Sequence, residues 1–250
     1  MPEGTHPLSA GLKRILVVTG SGISAESGIP TFRGQGGYWR NLDPNKLATE
    51  AAFRKDPELV WQWYEERRAL IRRSQPNAAH QALVQLAGKA RDFLILTQNV
   101  DDLQARAEWQ AKRLDGSQIV QIHGDIFVTK CSRCTFSRRE INKESEGVPS
   151  CPNCGAMMRP GVVWFDEELN PDEVARVENF FLAGVCDLVL VIGTTAVFDY
   201  IVNWALKAKG TDGRLIEINP EETPLSQFAT ETFRAPAAKI MPKLVEGFLQ

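Results

Sequence analysis

Five short runs rich in β-branched residues recur along this chain, each closing on glycine or a polar residue, and they constrain the fold more than any other feature. They are Arg14 to Gly20, Phe93 to Val100, Gln118 to Gly124, Asp187 to Gly193 and Arg214 to Asn219. Continuous apolar runs of this length read as strands buried on both faces. Helix signals lie between them: Asp56-Pro57-Glu58 ahead of Leu59 to Arg73, Asn77 to Leu86, and Asn170-Pro171-Asp172-Glu173 ahead of Val174 to Ala183. Asp or Asn caps the free amides of a first turn, and proline sits where no donor is needed. Strands alternating with helices predict an open, mostly parallel α/β sheet whose ligands gather at the carboxyl ends of the strands.

Two stretches break the alternation. About Gly34 to Gln75 there are loops and one strong helix; about Asp125 to Arg159 lie four of the five cysteines. Both read as insertions packed together. The expected large domain is therefore 1–33, 76–124 and 160–250, with a helical insertion 34–75 and a ribbon insertion 125–159 as the small lobe. The 29 basic and 31 acidic residues leave a net charge of -2 and are dispersed, which predicts no nucleic-acid footprint and no polybasic membrane patch. No apolar run approaches the roughly 20 residues of a bilayer span, and Met1 to His6 lacks the regions of a signal peptide. The expectation is a soluble, cytoplasmic protein.

Cys131-x-x-Cys134, sixteen residues, then Cys151-x-x-Cys154 is a zinc-ribbon spacing, since each pair can turn two sulfurs toward one tetrahedral ion. Four thiolates leave no open coordination position, so the ion is expected to be structural. Two disulfides or unliganded core thiols are the competing readings. Cys186 is left over as a small buried hydrophobe.

Thr19-Gly20-Ser21-Gly22-Ile23-Ser24-Ala25 follows a strand and fits G-x-G-x-x-A, a turn that lets backbone amides approach a pyrophosphate at a helix start. A dehydrogenase next needs a second strand ending in an acidic residue about 20 positions on. Asp43 has nearly that spacing but sits in Tyr38-Trp-Arg-Asn-Leu-Asp43-Pro44, which is no strand end. The loop instead continues as Ile29-Pro30-Thr31-Phe32-Arg33-Gly34.

Gly20 to Gly34, Thr97-Gln-Asn-Val-Asp-Asp-Leu103, His123-Gly124, the paired Cys-x-x-Cys, Arg159-Pro-Gly-Val-Val-Trp-Phe165, Gly193-Thr-Thr195 and Ile218-Asn219 follow one another along nearly the whole chain. In that order they resemble the sirtuin family of NAD-dependent protein lysine deacylases. The resemblance implies a Rossmann-like doubly wound parallel sheet with a smaller lobe of zinc ribbon and helical insertion, NAD as co-substrate in the cleft and one structural zinc. It implies acylated-lysine proteins or peptides as partners. The oligomeric state is not implied.

The same resemblance implies the site. His123 is the base for a ribose hydroxyl, an imidazole that titrates near neutrality, with Asn99 beside it in the catalytic set. The turn Gly20, Ser21, Gly22 and Ile23, and Gly193, contact the dinucleotide. Gln98 and Asn99 bind the nicotinamide-side ribose and Asp101 holds the carboxamide. Phe32 covers the nicotinamide site, Arg33 orders the cofactor loop, and Thr194, Thr195 and Asn219 hold the adenosine half. Val163 accepts from the acylated lysine nitrogen and Phe165 lines its tunnel.

Tyr64 and Arg67 stand at i and i+3 in Trp61 to Arg68, so both side chains leave one helix face. The pair resembles the branch of the family that removes succinyl and malonyl groups; a guanidinium fork and a phenol together suit a terminal carboxylate. A solvated helix face is the alternative from spacing alone. The chain departs from the family pattern at Ser21, Gln104, Asp166, Thr195 and Phe198-Asp199-Tyr200. Two other functions stay open: an NAD glycohydrolase or ADP-ribosyltransferase, if those departures block peptide docking, and a catalytically silent NAD-binding interaction module.

Overall fold

A computed structural model describes residues 13–32, 37, 43, 46–141 and 147–249. In chain order the strands are β1 (Arg14–Thr19), β2 (Asp92–Thr97), β3 (Ile119–Gln121), β4 (Gly124–Cys131), β5 (Ser137–Arg139), β6 (Met158–Val162), β7 (Leu188–Ile192), β8 (Arg214–Ile218) and β9 (Glu231–Phe233). The α-helices are α1 (Glu50–Lys55), α2 (Pro57–Arg73), α3 (Ala78–Ala87), α4 (Leu103–Arg106), α5 (Pro171–Leu182), α6 (Asp199–Lys209) and α7 (Ala237–Leu249).

Six strands form one parallel sheet in the order β3-β2-β1-β7-β8-β9. Counted within the sheet this is 3-2-1-4-5-6, the doubly wound order, and it reverses between β1 and β7. Alternate residues feed opposite layers, because side chains along a strand alternate. Ile15 and Val17 join a core with Leu83 of α3 and Met241 of α7, whereas Leu16 and Val18 join one with Val177 of α5 and Ala205 of α6. The runs at 14, 93, 187 and 214 are therefore strands buried on both faces, as their composition predicts, and the run at 118 supplies the short edge strand β3.

A second, antiparallel sheet, β5-β4-β6, is built from the cysteine-bearing stretch. Helix α2 lies on it. The Trp61 indole donates to the Met158 carbonyl at 2.9 Å, and Arg68 Nε donates to the Ile126 carbonyl at 2.6 Å. The two insertions thus share one core, in which Trp61, Tyr64 and Ile71 meet Phe127, Val162 and Trp164.

Four local features differ from expectation. The glycine-rich turn enters a 3-10 helix, Ser21–Ser27, rather than an α-helix. Helix α1 and edge strand β9 were not expected from the sequence. The run 118–124 is also split. β3 ends at Gln121 and β4 starts at Gly124, whose φ of +82° belongs to glycine and whose added Cβ would lie 2.3 Å from the Gly161 carbonyl oxygen. His123 occupies the link between the two sheets.

Candidate functional site

A cavity of about 630 Å³ opens where the parallel strands end. Its floor lies where the paired strands β1 and β7 end side by side. Gly20 N–H donates to the Ile192 carbonyl at 3.0 Å and Gly22 N–H to the Gly193 carbonyl at 2.8 Å. Gly193 has φ +59°, and a Cβ there would stand 2.5 Å from Ile23 N. Gly20, Ser21, Gly22 and Gly193 line the cavity. Ile23 instead turns into the core, fully buried, and its carbonyl accepts from the Asn77 amide at 2.8 Å.

The imidazole of His123 is held at both nitrogens. Nδ1 lies 2.9 Å from the Gln98 carbonyl, which can only accept, so Nδ1 carries the proton. Nε2 then accepts from the Tyr200 hydroxyl at 2.5 Å. Burial lowers the imidazole to about 4, partly offset by the bond to Gln98. His123 is therefore neutral at physiological pH, the state a base requires.

Strand β2 delivers the next group. The Gln98 amide donates to Thr194 Oγ1 at 2.8 Å, and the Asn99 amide donates to Ser24 Oγ at 3.3 Å. Ser24 in turn donates to Asp101 Oδ2 at 3.0 Å, and Leu103 N–H donates to Asp101 Oδ1 at 3.1 Å. Gln98 and Asn99 face the cavity, while Asp101 is buried behind them. Thr194, Thr195 and Asn219 line the cavity as well, and the Asn219 amide donates to the Thr194 carbonyl at 3.3 Å. Phe32 lines the cavity too. Arg33 lies outside the described residues, as does His6. His80 is buried and closes the capping box of α3 with Asn77, and burial lowers it to about 3, so it keeps a structural reading.

On the small-lobe side, Tyr64 and Arg67 are 2% and 6% exposed, and both reach the same cavity. This excludes a solvated helix face. The Arg67 guanidinium lies over the rings of Trp63 at 4.6 Å and Phe32 at 5.0 Å. Trp164 donates its indole N–H to the Tyr64 hydroxyl at 3.1 Å. Val163 and Phe165 line the cavity, and Val163 N–H donates to the His123 carbonyl at 2.9 Å, tying the extended segment to the base. Asp166, one of the departures, accepts from Glu50 N–H at 3.1 Å and so caps α1.

Sequence reasoning missed Trp164, Trp63 and Tyr200 as parts of this wall. Trp63 carried a signal, lying one residue before Tyr64; nothing in the sequence pointed Tyr200 at His123.

Away from the cavity, the ligand atoms of Cys131, Cys134, Cys151 and Cys154 all lie within 4.8 Å of one another. The Cys131–Cys154 and Cys134–Cys151 sulfurs are 3.5 and 3.6 Å apart, close to the roughly 3.8 Å edge of a tetrahedron with Zn–S bonds of about 2.3 Å. Arg133 and Cys134 N–H groups both point at Cys131 Sγ from 3.3 Å, as suits a thiolate. The cysteines are free thiols, which removes the disulfide reading, and the donor set fits one structural zinc ion. Cys186 is buried in the core, and burial pushes its thiol up to about 11.

The sequence pattern described as the Sir2 family matches residues 20–199. The chain belongs to the Sir2 family. Among Sir2 relatives, NAD-dependent protein deacylase 1 of Archaeoglobus fulgidus is 41% identical over 235 residues, covering 93% of this chain and 92% of its own. A mutant Sir2 homologue in complex with ADP-ribose superposes with a TM-score of 0.89 at 38% identity, covering 100% of this chain and 97% of that one. A Sir2 homologue in complex with NAD gives 0.84 at 38% identity, covering 100% and 96%. No described helix is long and apolar enough to cross a membrane.

Proposed function

We propose that this protein is an NAD-dependent protein-lysine deacylase that removes acidic acyl groups, succinyl and malonyl among them, as well as acetyl. The observation that carries the reading is that His123, the glycines Gly20, Gly22 and Gly193, and the Tyr64–Arg67 pair all line one cavity. A dinucleotide and an acyl-lysine can meet there. NAD supplies the ADP-ribosyl group that accepts the acyl oxygen as nicotinamide leaves.

The chain's own residues have distinct tasks in this reading. Backbone amides of the glycine turn take the pyrophosphate. Gln98 and Asn99 orient the nicotinamide-side ribose, with Asp101 supporting Asn99 through Ser24. Thr194, Thr195 and Asn219 hold the adenosine half, Phe32 covers the nicotinamide, and Arg33 helps order the cofactor loop. His123, neutral and presenting Nε2, accepts a ribose hydroxyl proton. Val163 takes the lysine nitrogen, and the extended segment Gly161 to Trp164 adds to a substrate backbone. Tyr64 and Arg67 hold a carboxylate at the acyl terminus, where burial strengthens a charge-assisted bond. With its carboxylate engaged at the start of α1, Asp166 leaves the groove open to peptide, which disfavours a hydrolase without a protein acceptor.

The large sheet domain thus holds the nucleotide, and the small lobe supplies the acyl pocket and the zinc. Four thiols gathered for a metal suit a reducing compartment, which supports a cytoplasmic location. The test is purified protein with NAD and a panel of acyl-lysine peptides, with peptide and nucleotide products identified by mass spectrometry. Free lysine, nicotinamide and O-acyl-ADP-ribose in equal amounts are expected. Nicotinamide release that does not depend on acyl-lysine overturns the reading.

A further inference from the structure

We infer that Tyr200 is a positioning residue for His123 and competes with the incoming nucleotide for the imidazole. The inference rests on the reading of His123 as the base. Its hydroxyl stands 2.5 Å from Nε2 while the Gln98 carbonyl holds Nδ1 at 2.9 Å. The proton is on Nδ1, so the Nε2 lone pair, the one a base needs, is already engaged by the phenol. Burial raises the Tyr200 hydroxyl above its ordinary value, so it keeps its proton and remains a donor.

The phenol is packed on its face and on its edge. Phe198 stacks on it with centroids 5.5 Å apart and planes 20° apart, and Trp204 meets it edge-on at 5.2 Å. Phe198 also meets the His123 ring edge-on at 5.6 Å. Two rings therefore hold the imidazole and phenol in register. The phenolic oxygen stands on the Nε2 lone pair at 2.5 Å, so a ribose hydroxyl takes over Nε2 only as the Tyr200 side chain moves off it. Tyr200 and Phe198 line the same cavity as His123, which puts the exchange where the nucleotide arrives.

A nucleotide that engages the base must first replace this internal bond, so binding is weaker than it would be without the phenol. One neutral hydrogen bond corresponds to roughly a two- to tenfold change in affinity. Tyr200→Phe keeps the ring stack and removes the hydroxyl. Calorimetric titration with NAD is expected to give a Kd two- to tenfold lower than wild type, read in turnover as a fall in KM for NAD. A merely structural tyrosine predicts the opposite, weaker binding with a lower Tm. Unchanged or weaker affinity in a variant that melts with the wild type overturns the inference. So does a kcat loss of a hundredfold or more at unchanged affinity, which makes the phenol a proton relay. Should Tyr200→Phe not fold, the 15N resonance of His123 Nε2 in the wild-type protein decides: it shifts on adding NAD if the phenol is displaced, and a stationary resonance overturns the inference. Failure of the wild-type protein to bind NAD at all counts against the deacylase reading instead.

Discussion

The indole N–H of Trp164 donates to the hydroxyl of Tyr64 at 3.1 Å, which fixes how Tyr64 can act. An indole nitrogen only donates, so the Tyr64 oxygen is the acceptor and its own hydrogen points elsewhere. Trp164 is itself locked: the Arg159 guanidinium lies 3.3 Å from its ring centroid, and Glu167, paired with Arg159, accepts its backbone N–H at 2.9 Å. Tyr64 is thereby prepared as a donor beside the Arg67 guanidinium. Arg67→Met is expected to raise KM for a succinyl-lysine peptide roughly ten- to a hundredfold, the worth of a bond to a charged group. Trp164→Phe should raise it several-fold through Tyr64 alone. Acetyl-lysine turnover should change far less in both. Parallel losses on the two peptides in steady-state assays reject the acyl pocket.

Arg68, one turn position from Arg67, has a different task. Its side chain is fully buried and spans from α2 to β4, donating to the carbonyls of Ile126 and Val128 and to Thr129 Oγ1, with Glu65 as its counter-charge at 2.8 Å. Arg68→Met leaves those acceptors and the carboxylate without their partner, a loss of about 3–5 kcal/mol by analogy with broken buried pairs. Arg68→Lys should recover little, because an ammonium cannot reproduce the planar fork. Urea unfolding measures both. A loss under about 1 kcal/mol for Arg68→Met shows that the arginine is not what joins helix to ribbon.

The cysteine end of the ribbon has little apolar packing of its own. The core around its cysteines contains Cys131, Cys151 and Met158 with a few half-buried neighbours. Removing zinc with a chelator, or replacing Cys151 by Ser, is expected to lower Tm and to release one zinc per chain by elemental analysis. Deacylation should fall with it, since β4 begins one residue after His123. A chain that keeps its Tm after losing metal contradicts a structural role.

Much of this was legible in the sequence because the signals were local and dense. The runs at 14, 93, 187 and 214 carry enough apolar residues to mark central strands, and Asp56, Asn77 and Asn170 each accept an amide hydrogen bond at the helix start where expected. What escaped was short or distant. Strand β9 is three residues, Glu231 to Phe233, recognisable only by its pairing with β8. Helix α1 is six residues with its start capped by Thr49 and by Asp166, which is 116 positions from Glu50. Tyr200 meets His123 across 77 positions, and Trp164 meets Tyr64 across 100, so their roles exist only once the two sheets are folded together.

Asp101 gives a prediction whose sign follows from its burial. Removal from water pushes its carboxyl up to about 6, against hydrogen bonds from Leu103 N–H and the Ser24 hydroxyl that pull it down. An acid raised in the folded state favours folding most when protonated. That contribution is complete below the unfolded value near 4 and is lost as pH rises through about 6. At pH 7.5 the ionised carboxylate therefore carries a cost on the order of 3 kcal/mol. Asp101→Asn is expected to melt above the wild type at pH 7.5 and no higher than it at pH 4, while activity falls because Asn99 loses its support through Ser24. His80 and His123 work in the other direction: lowered to about 3 and about 4, they contribute above pH 6.5 and lose that contribution as pH falls. Both proteins keep those histidines, so the difference between the two melting curves across pH 4 to 7.5 isolates Asp101. A difference that does not vary with pH shows that this carboxyl titrates in its ordinary range.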